Sequence, residues 1–227
     1  MGYNGFMFQM LDKLKEEILN LILPRTCVGC GREGQYICKD CEIFLGEVGL
    51  SKEVMSIWEY EGLMEKLIRE INCHGKYHII EELVEKALDK VELELPADTY
   101  ITYMPMWKKK EKERGFNQSE LIAKKLSLLL SRTKQQPFRV LPLLRKIKDN
   151  RPQAGLSPKE RAENVKDVFS VVKKNFSLSN SLKKPEFVLL VDDVYITGAT
   201  AKECVGVLRR AGVKKVWVFT LARGLNL

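Results

Sequence analysis

Asp192 and Asp193 stand side by side at the end of the apolar run Phe187 to Val191, and Thr197-Gly198-Ala199-Thr200 follow shortly after. The run reads as a strand buried on both faces of a parallel sheet, which the acidic pair is expected to end. Beyond the small residues, Ala201, Cys204, Val205, Leu208 and Ala211 recur with a helical period. In an open α/β sheet, ligands bind beyond the carboxyl ends of the strands, so the two carboxylates lie on the floor of a crevice. A helix starting near Thr200 turns its free N–H groups and positive dipole end toward the same crevice, which favours a phosphate. Gly198 lets the backbone close around an anion, and Thr197 and Thr200 add hydroxyl donors. The carboxylates cannot hold that phosphate, because like charges repel. They suit vicinal sugar hydroxyls or a divalent cation, and a sugar phosphate satisfies both halves. The plainer alternative is an ordinary βα turn with solvated acids.

A second constellation is Cys27-Val28-Gly29-Cys30 followed by Cys38-Lys39-Asp40-Cys41. Two such pairs across a short loop can bring four thiolates around one tetrahedral zinc, with Gly29, Gly31 and Gly34 allowing tight turns. Four sulfur ligands leave no open position for water, so the predicted site is structural. Disulfides, a redox pair and an iron–sulfur cluster are the competing readings. Cys73 and Cys204 read as packing residues.

The elements that must position these groups are legible from the pattern. Apolar residues at Phe6, Met10, Leu11, Leu14, Ile18, Leu21 and Ile22 predict an amphipathic helix ending before Pro24. Its mixed-charge polar face fits packing on the body of the protein better than a membrane surface. Tyr100 to Met104 reads as a buried strand ending at Pro105, and Ser119 to Leu130 as an amphipathic helix. Val140 to Leu144 reads as a short strand interrupted by Pro142, and Val168 to Val172 as a continuation of the same sheet. Arg145 to Asn164 is polar and rich in Pro and Gly, long enough for a lid. The basic segment from Met106 to Gln118 contains Lys108, Lys109 and Lys110, either a solvated face or part of the crevice. His74 and His78 read as surface residues, since Gly75 interrupts the helix between them and no carboxylate cluster accompanies them.

With 227 residues and 45% hydrophobic content the chain has room for one α/β domain and a small appendage. The boundaries read as an amphipathic helix at 1–24, a four-cysteine knuckle at 25–50 and the α/β domain at 51–227. A net charge of +8 makes anionic partners plausible. No apolar run is long enough to span a bilayer, and the N-terminus lacks the pattern of a secretory signal. The expected location is the cytoplasm, where four of the six cysteines would hold metal in preference to disulfides.

The segment Val191 to Thr200 resembles the 5-phosphoribosyl 1-pyrophosphate (PRPP) motif of type I phosphoribosyltransferases, specifically that of the ComF family of competence proteins. Arg114-Gly115-Phe116-Asn117-Gln118 matches the family segment residue for residue. Gln153, Leu156, Arg161, Asn164, Val165 and Phe169 match its lid pattern, and Trp58, Tyr60, Gly62, Leu67, Ile68, Gly75 and Ala222-Arg223 match elsewhere. Asn72 and Cys73 depart from it, standing where a lysine and an aromatic residue are expected; Tyr103 stands where a proline is common, and Asn150 where a threonine is.

The resemblance implies a type I phosphoribosyltransferase fold, a central parallel sheet flanked by helices with an N-terminal zinc module. It implies that Asp192 and Asp193 hold the ribose as the catalytic pair and that Thr197, Gly198, Ala199 and Thr200 hold the 5′-phosphate. Pro105, Lys108, Lys109, Lys110 and Arg114 would serve the pyrophosphate, magnesium would accompany PRPP, and Gln153, Arg161 and Asn164 would belong to the lid. It also implies a link to natural transformation, with the DNA-uptake machinery and single-stranded DNA as further partners. Two functions follow: transfer of a phosphoribosyl group to a nitrogen acceptor, or nucleic-acid binding without catalysis, with PRPP as effector or vestigial ligand.

Overall fold

The computed structural model describes residues 24–49, 51, 53–150, 157–176 and 185–224. The amphipathic helix expected at 6–23, Gln153 and Leu156 of the lid pattern, and most of the loop 173–184 fall outside the described residues. The chain divides into two compact units, up to Leu45 and from Gly46 onward.

The first unit is held by short-range turns. Gly31 donates its N–H to the Cys27 carbonyl at 2.8 Å, Thr26 bridges Glu33, and a short helix α1 (Lys39–Glu42) starts directly after Cys38 and carries Cys41. Gly31 and Gly34 adopt positive φ as the knuckle turns require, but Gly29 does not.

The second unit is an α/β layer structure built on five parallel strands. In chain order they are β1 (Val54–Glu59), β2 (Tyr100–Tyr103), β3 (Arg139–Val140), β6 (Phe187–Tyr195) and β7 (Lys215–Arg223). Their spatial order is β1-β7-β6-β2-β3. The central strand β6 is the predicted apolar run, with Val188 to Val191 fully buried. Pleating sends Val188 and Leu190 toward helix α8 (Ala199–Arg210), where Cys204 and Leu208 are also fully buried. Leu189 and Val191 project to the other face, where helix α5 (Gln118–Thr133) packs on β6 and β2. Helices α2 (Gly62–His74) and α3 (Ile79–Lys90) link β1 to β2, and the short α4 (Lys108–Arg114) follows β2. The expected architecture of a parallel sheet flanked by helices is therefore observed. Among the described residues, no helix is long and apolar enough to cross a membrane.

Three local expectations are corrected. Strand β6 does not stop at the acidic pair but continues through it to Tyr195, because β7 keeps pairing with it as far as Arg223. The strand expected at 140–144 with an interruption at Pro142 is two strands in different sheets, β3 ending at Val140 and β4 (Leu144–Lys146) leaving the sheet beyond Pro142. Strand β5 (Phe169–Val171) does not extend the central sheet; it pairs antiparallel with β4 in a separate ribbon. That ribbon and helix α6 (Pro158–Val165) pack on α8 through Leu144, Val165 and Phe169. A further short helix, α7 (Lys173–Phe176), follows β5.

Candidate functional site

At the carboxyl ends of β2 and β6 the second unit opens into two adjoining cavities that share Gln118, Asp192 and Thr200. One, of about 230 Å³, lies between the turn Pro105–Trp107, Lys110 and the β4–β5 ribbon, with Lys146 and Asn150 on its wall. The other, of about 350 Å³, runs from Asp192 and Asp193 along Val194 to Gly198 and is walled by Tyr60, Asn72 and Thr220. Of the predicted residues, Pro105, Lys110, Asp192, Asp193, Thr197, Gly198 and Thr200 line one or both cavities. Ala199 opens helix α8 beside them. Lys108 and Lys109 are exposed on α4 and line neither cavity; Arg161 and Asn164, half-buried on α6, do not line them either.

The acidic pair is held by residues of α2 and α5. Asp192 Oδ1 accepts from Ser119 Oγ at 2.8 Å and from the Asp193 N–H at 3.0 Å. Asp193 Oδ1 accepts from the Val194 N–H at 3.0 Å, while its Oδ2 accepts from Asn72 Nδ2 at 2.9 Å and Gln118 Nε2 at 3.3 Å. Arg114 stands behind those amides, donating from Nη1 to Asn72 Oδ1 at 3.0 Å and to Gln118 Oε1 at 2.7 Å. Arg114, expected at the pyrophosphate, thus orients the amides that orient Asp193. Burial, then the charge of Asp193, push the Asp192 carboxyl well above the usual carboxylate range, against the Ser119 hydrogen bond.

The segment Arg114 to Ser119 folds this way for local reasons. Gly115, at φ +85°, ends α4 in the left-handed conformation. Asn117 caps α5, its side chain accepting from the Ser119 and Glu120 N–H groups at 3.0 and 3.4 Å. Its Nδ2 donates to the Met104 carbonyl at 3.1 Å, tying the cap to the end of β2. Gln118 and Ser119 then stand in the first turn of α5, where their side chains reach the pair.

The loop after the pair ends in Gly198, at φ +71°, which caps α8. The positive dihedral favours glycine, and a Cβ on Gly198 would crowd the Tyr195 phenol, which would have to swing aside. The Thr197 hydroxyl accepts from the Ala199 N–H at 3.4 Å.

In the first unit the Sγ atoms of Cys27, Cys30, Cys38 and Cys41 lie within 4.8 Å of one another. None is in a disulfide, and Cys30 and Cys38 Sγ are 3.6 Å apart. Ligands about 2.3 Å from a tetrahedral zinc would stand about 3.8 Å apart, so the cluster could bind a metal such as zinc. Burial opposes ionisation of Cys27, but the N–H groups of Cys38, Cys30 and Gly29 outweigh it and hold the thiol down to about 6. Cys41 is pushed up to about 12 by burial and by the other thiols. Four thiolates need a cation among them, which a divalent metal supplies.

Sequence reasoning missed Asn72, Gln118 and Ser119 as partners of the pair, and Lys146, Asn150 and Tyr60 as cavity walls. Asn72 had shown itself only as a departure from the expected lysine. Cys204 packs in the core as expected, but Cys73 is exposed at the end of α2, where the chain turns at Gly75. His74 and His78 are exposed, and His74 pairs with Glu70 at 3.1 Å.

No family model matches the chain. It is 29% identical over 208 residues to Competence protein F of Haemophilus influenzae, covering 87% of this chain and 84% of that protein. It is 27% identical over 214 residues to Competence protein ComFC of Bacillus subtilis, covering 90% and 80%. It is 24% identical over 216 residues to DNA utilization protein YhgH of Salmonella typhi, covering 88% and 89%.

Proposed function

Starting from a chain that belongs to the ComF family, we propose that its crevice binds PRPP and that the protein serves competence or DNA utilization. The observation carrying this reading is the joining of Asp192 and Asp193 to the glycine-capped start of α8 along one cavity. A carboxylate pair accepts from vicinal ribose hydroxyls, and a helix N-terminus a few residues on receives the 5′-phosphate. The pyrophosphate falls in the neighbouring cavity, against the turn Pro105–Trp107 and Lys110. The four cysteines hold a structural zinc, while magnesium arrives with the pyrophosphate as part of the ligand.

If transfer occurs, a nitrogen lone pair forms the bond to C1 as the C1–O bond breaks and its electron pair leaves with pyrophosphate. The transition state is oxocarbenium-like, so preorganised donors at the leaving group matter most. Among the described residues neither cavity is lined by His or Glu, and both Asp side chains face the ribose. On this reading no general base is assigned, and the acceptor's proton passes to solvent. Pyrophosphate release from magnesium–PRPP, tested across bases, amines and DNA, checks transfer; no release with any acceptor leaves binding without turnover.

Nucleic-acid binding is favoured as a second activity by Lys108 and Lys109, exposed on α4 with Trp107 at its N-cap. Such a helix meets a single strand through phosphate contacts and stacking. Charge reversal of both lysines should weaken oligo(dT) binding and flatten its salt dependence; unchanged affinity removes this reading.

A further inference from the structure

Lys146 was not among the residues that the sequence singled out. On β4, Leu144 is buried, Arg145 is exposed and bound to Ser170 Oγ at 2.9 Å, and Lys146 is half-buried on the cavity wall. Strand alternation forces this, because Leu144 anchors one face of the ribbon in the core and Lys146 shares that face. Lys110 of α4 lines the same cavity. Among the described residues neither ammonium makes a hydrogen bond or an ion pair. Asp192 lies on the cavity floor, Asp149 attracts Lys146 without contact, and Glu113 lines a further cavity together with Lys110.

We propose that Lys146 and Lys110 form a two-cation clamp for the pyrophosphate group, with Lys146 supplied by the ribbon and Lys110 by the helix after β2. The inference rests on the PRPP reading and assigns to its pyrophosphate end a residue outside the matched motifs. Two unpaired cations sharing one cavity repel each other, and burial penalises the more enclosed one; Lys146 is held below the usual lysine range first by burial and then by Lys110. A ligand with negative charge on two adjacent phosphoryl groups relieves both costs, whereas a neutral acceptor relieves neither. Half-buried Lys146 favours a small anion that enters the cavity over the phosphates of a polymer, while Lys110 is exposed like Lys108 and Lys109.

The test titrates the full chain and its Lys146→Met and Lys146→Arg variants with inorganic pyrophosphate, with ribose 5-phosphate and oligo(dT) as controls. The clamp predicts that Lys146→Met loses about ten-fold or more in pyrophosphate affinity, the effect of one charge-assisted hydrogen bond. Ribose 5-phosphate and oligo(dT) should bind as before, Lys146→Arg should recover most of the loss, and thermal unfolding should show all variants folded. Unchanged pyrophosphate affinity in Lys146→Met, or a loss confined to oligo(dT), overturns the clamp alone. Wild-type protein that binds neither pyrophosphate nor ribose 5-phosphate overturns the PRPP reading and the clamp with it.

Discussion

Asn72 Nδ2 donates to Asp193 Oδ2 at 2.9 Å across 121 positions of sequence, joining the end of α2 to the acidic pair on β6. The same side chain accepts from Arg114 at 3.0 Å, so one amide couples a cation to a carboxylate that it does not touch. Asn72→Ala should weaken magnesium–PRPP binding about ten-fold by leaving Asp193 less well oriented and Arg114 without that acceptor. Calorimetric titration reads the change, and Asn72→Asp, which sets a negative charge beside Asp193, should be worse than alanine.

Asp192→Asn should stabilise the protein at neutral pH while removing ribose binding. The folded-state pKa of Asp192 is raised, so the ionised form costs stability. Below the unfolded value near 3.9 both states are protonated and the variant should gain little. As pH rises toward the elevated folded value the wild type loses stability relative to the variant. Melting curves from pH 4 to 8 should show that difference widening; a gain on the order of 1 kcal/mol corresponds to about 2–4 °C in a chain of this size.

Gly198→Ala combines an unfavourable positive φ with a clash against Tyr195 Oη. The dihedral alone costs about 1–2 kcal/mol, so the melting temperature should fall by several degrees and PRPP binding should be lost. Adding Tyr195→Ala removes the clash but not the strain, and should restore part of the stability.

Metal analysis should give about one zinc per chain, with Cys38→Ser losing it. Chelation should unfold the knuckle while leaving ribose 5-phosphate binding in the second unit intact, a separation readable by monitoring metal release and ligand titration together.

The central strand, the start of α8 and the two cysteine pairs were legible because each is a local pattern: an unbroken aliphatic run, a glycine before a helical period, a repeated spacing. The extent of β6 was not, because the ladder with β7 sets where it ends and the acidic residues do not. Strand β5 was misassigned for a related reason, since three residues of strand carry no mark of the sheet they join. The roles of Asn72, Gln118, Ser119 and Arg114 depend on contacts between elements far apart in sequence. Lys146 was hidden because its inward direction follows from Leu144 only once the ribbon is known.

Whether the crevice at the ends of β2 and β6 binds PRPP is decided by calorimetric titration with magnesium–PRPP. One ligand should bind per chain, with binding abolished in the double variant Asp192→Asn, Asp193→Asn, whose fold is checked by its melting curve. No binding by the wild type, or equal affinity in the folded double variant, would contradict the PRPP reading.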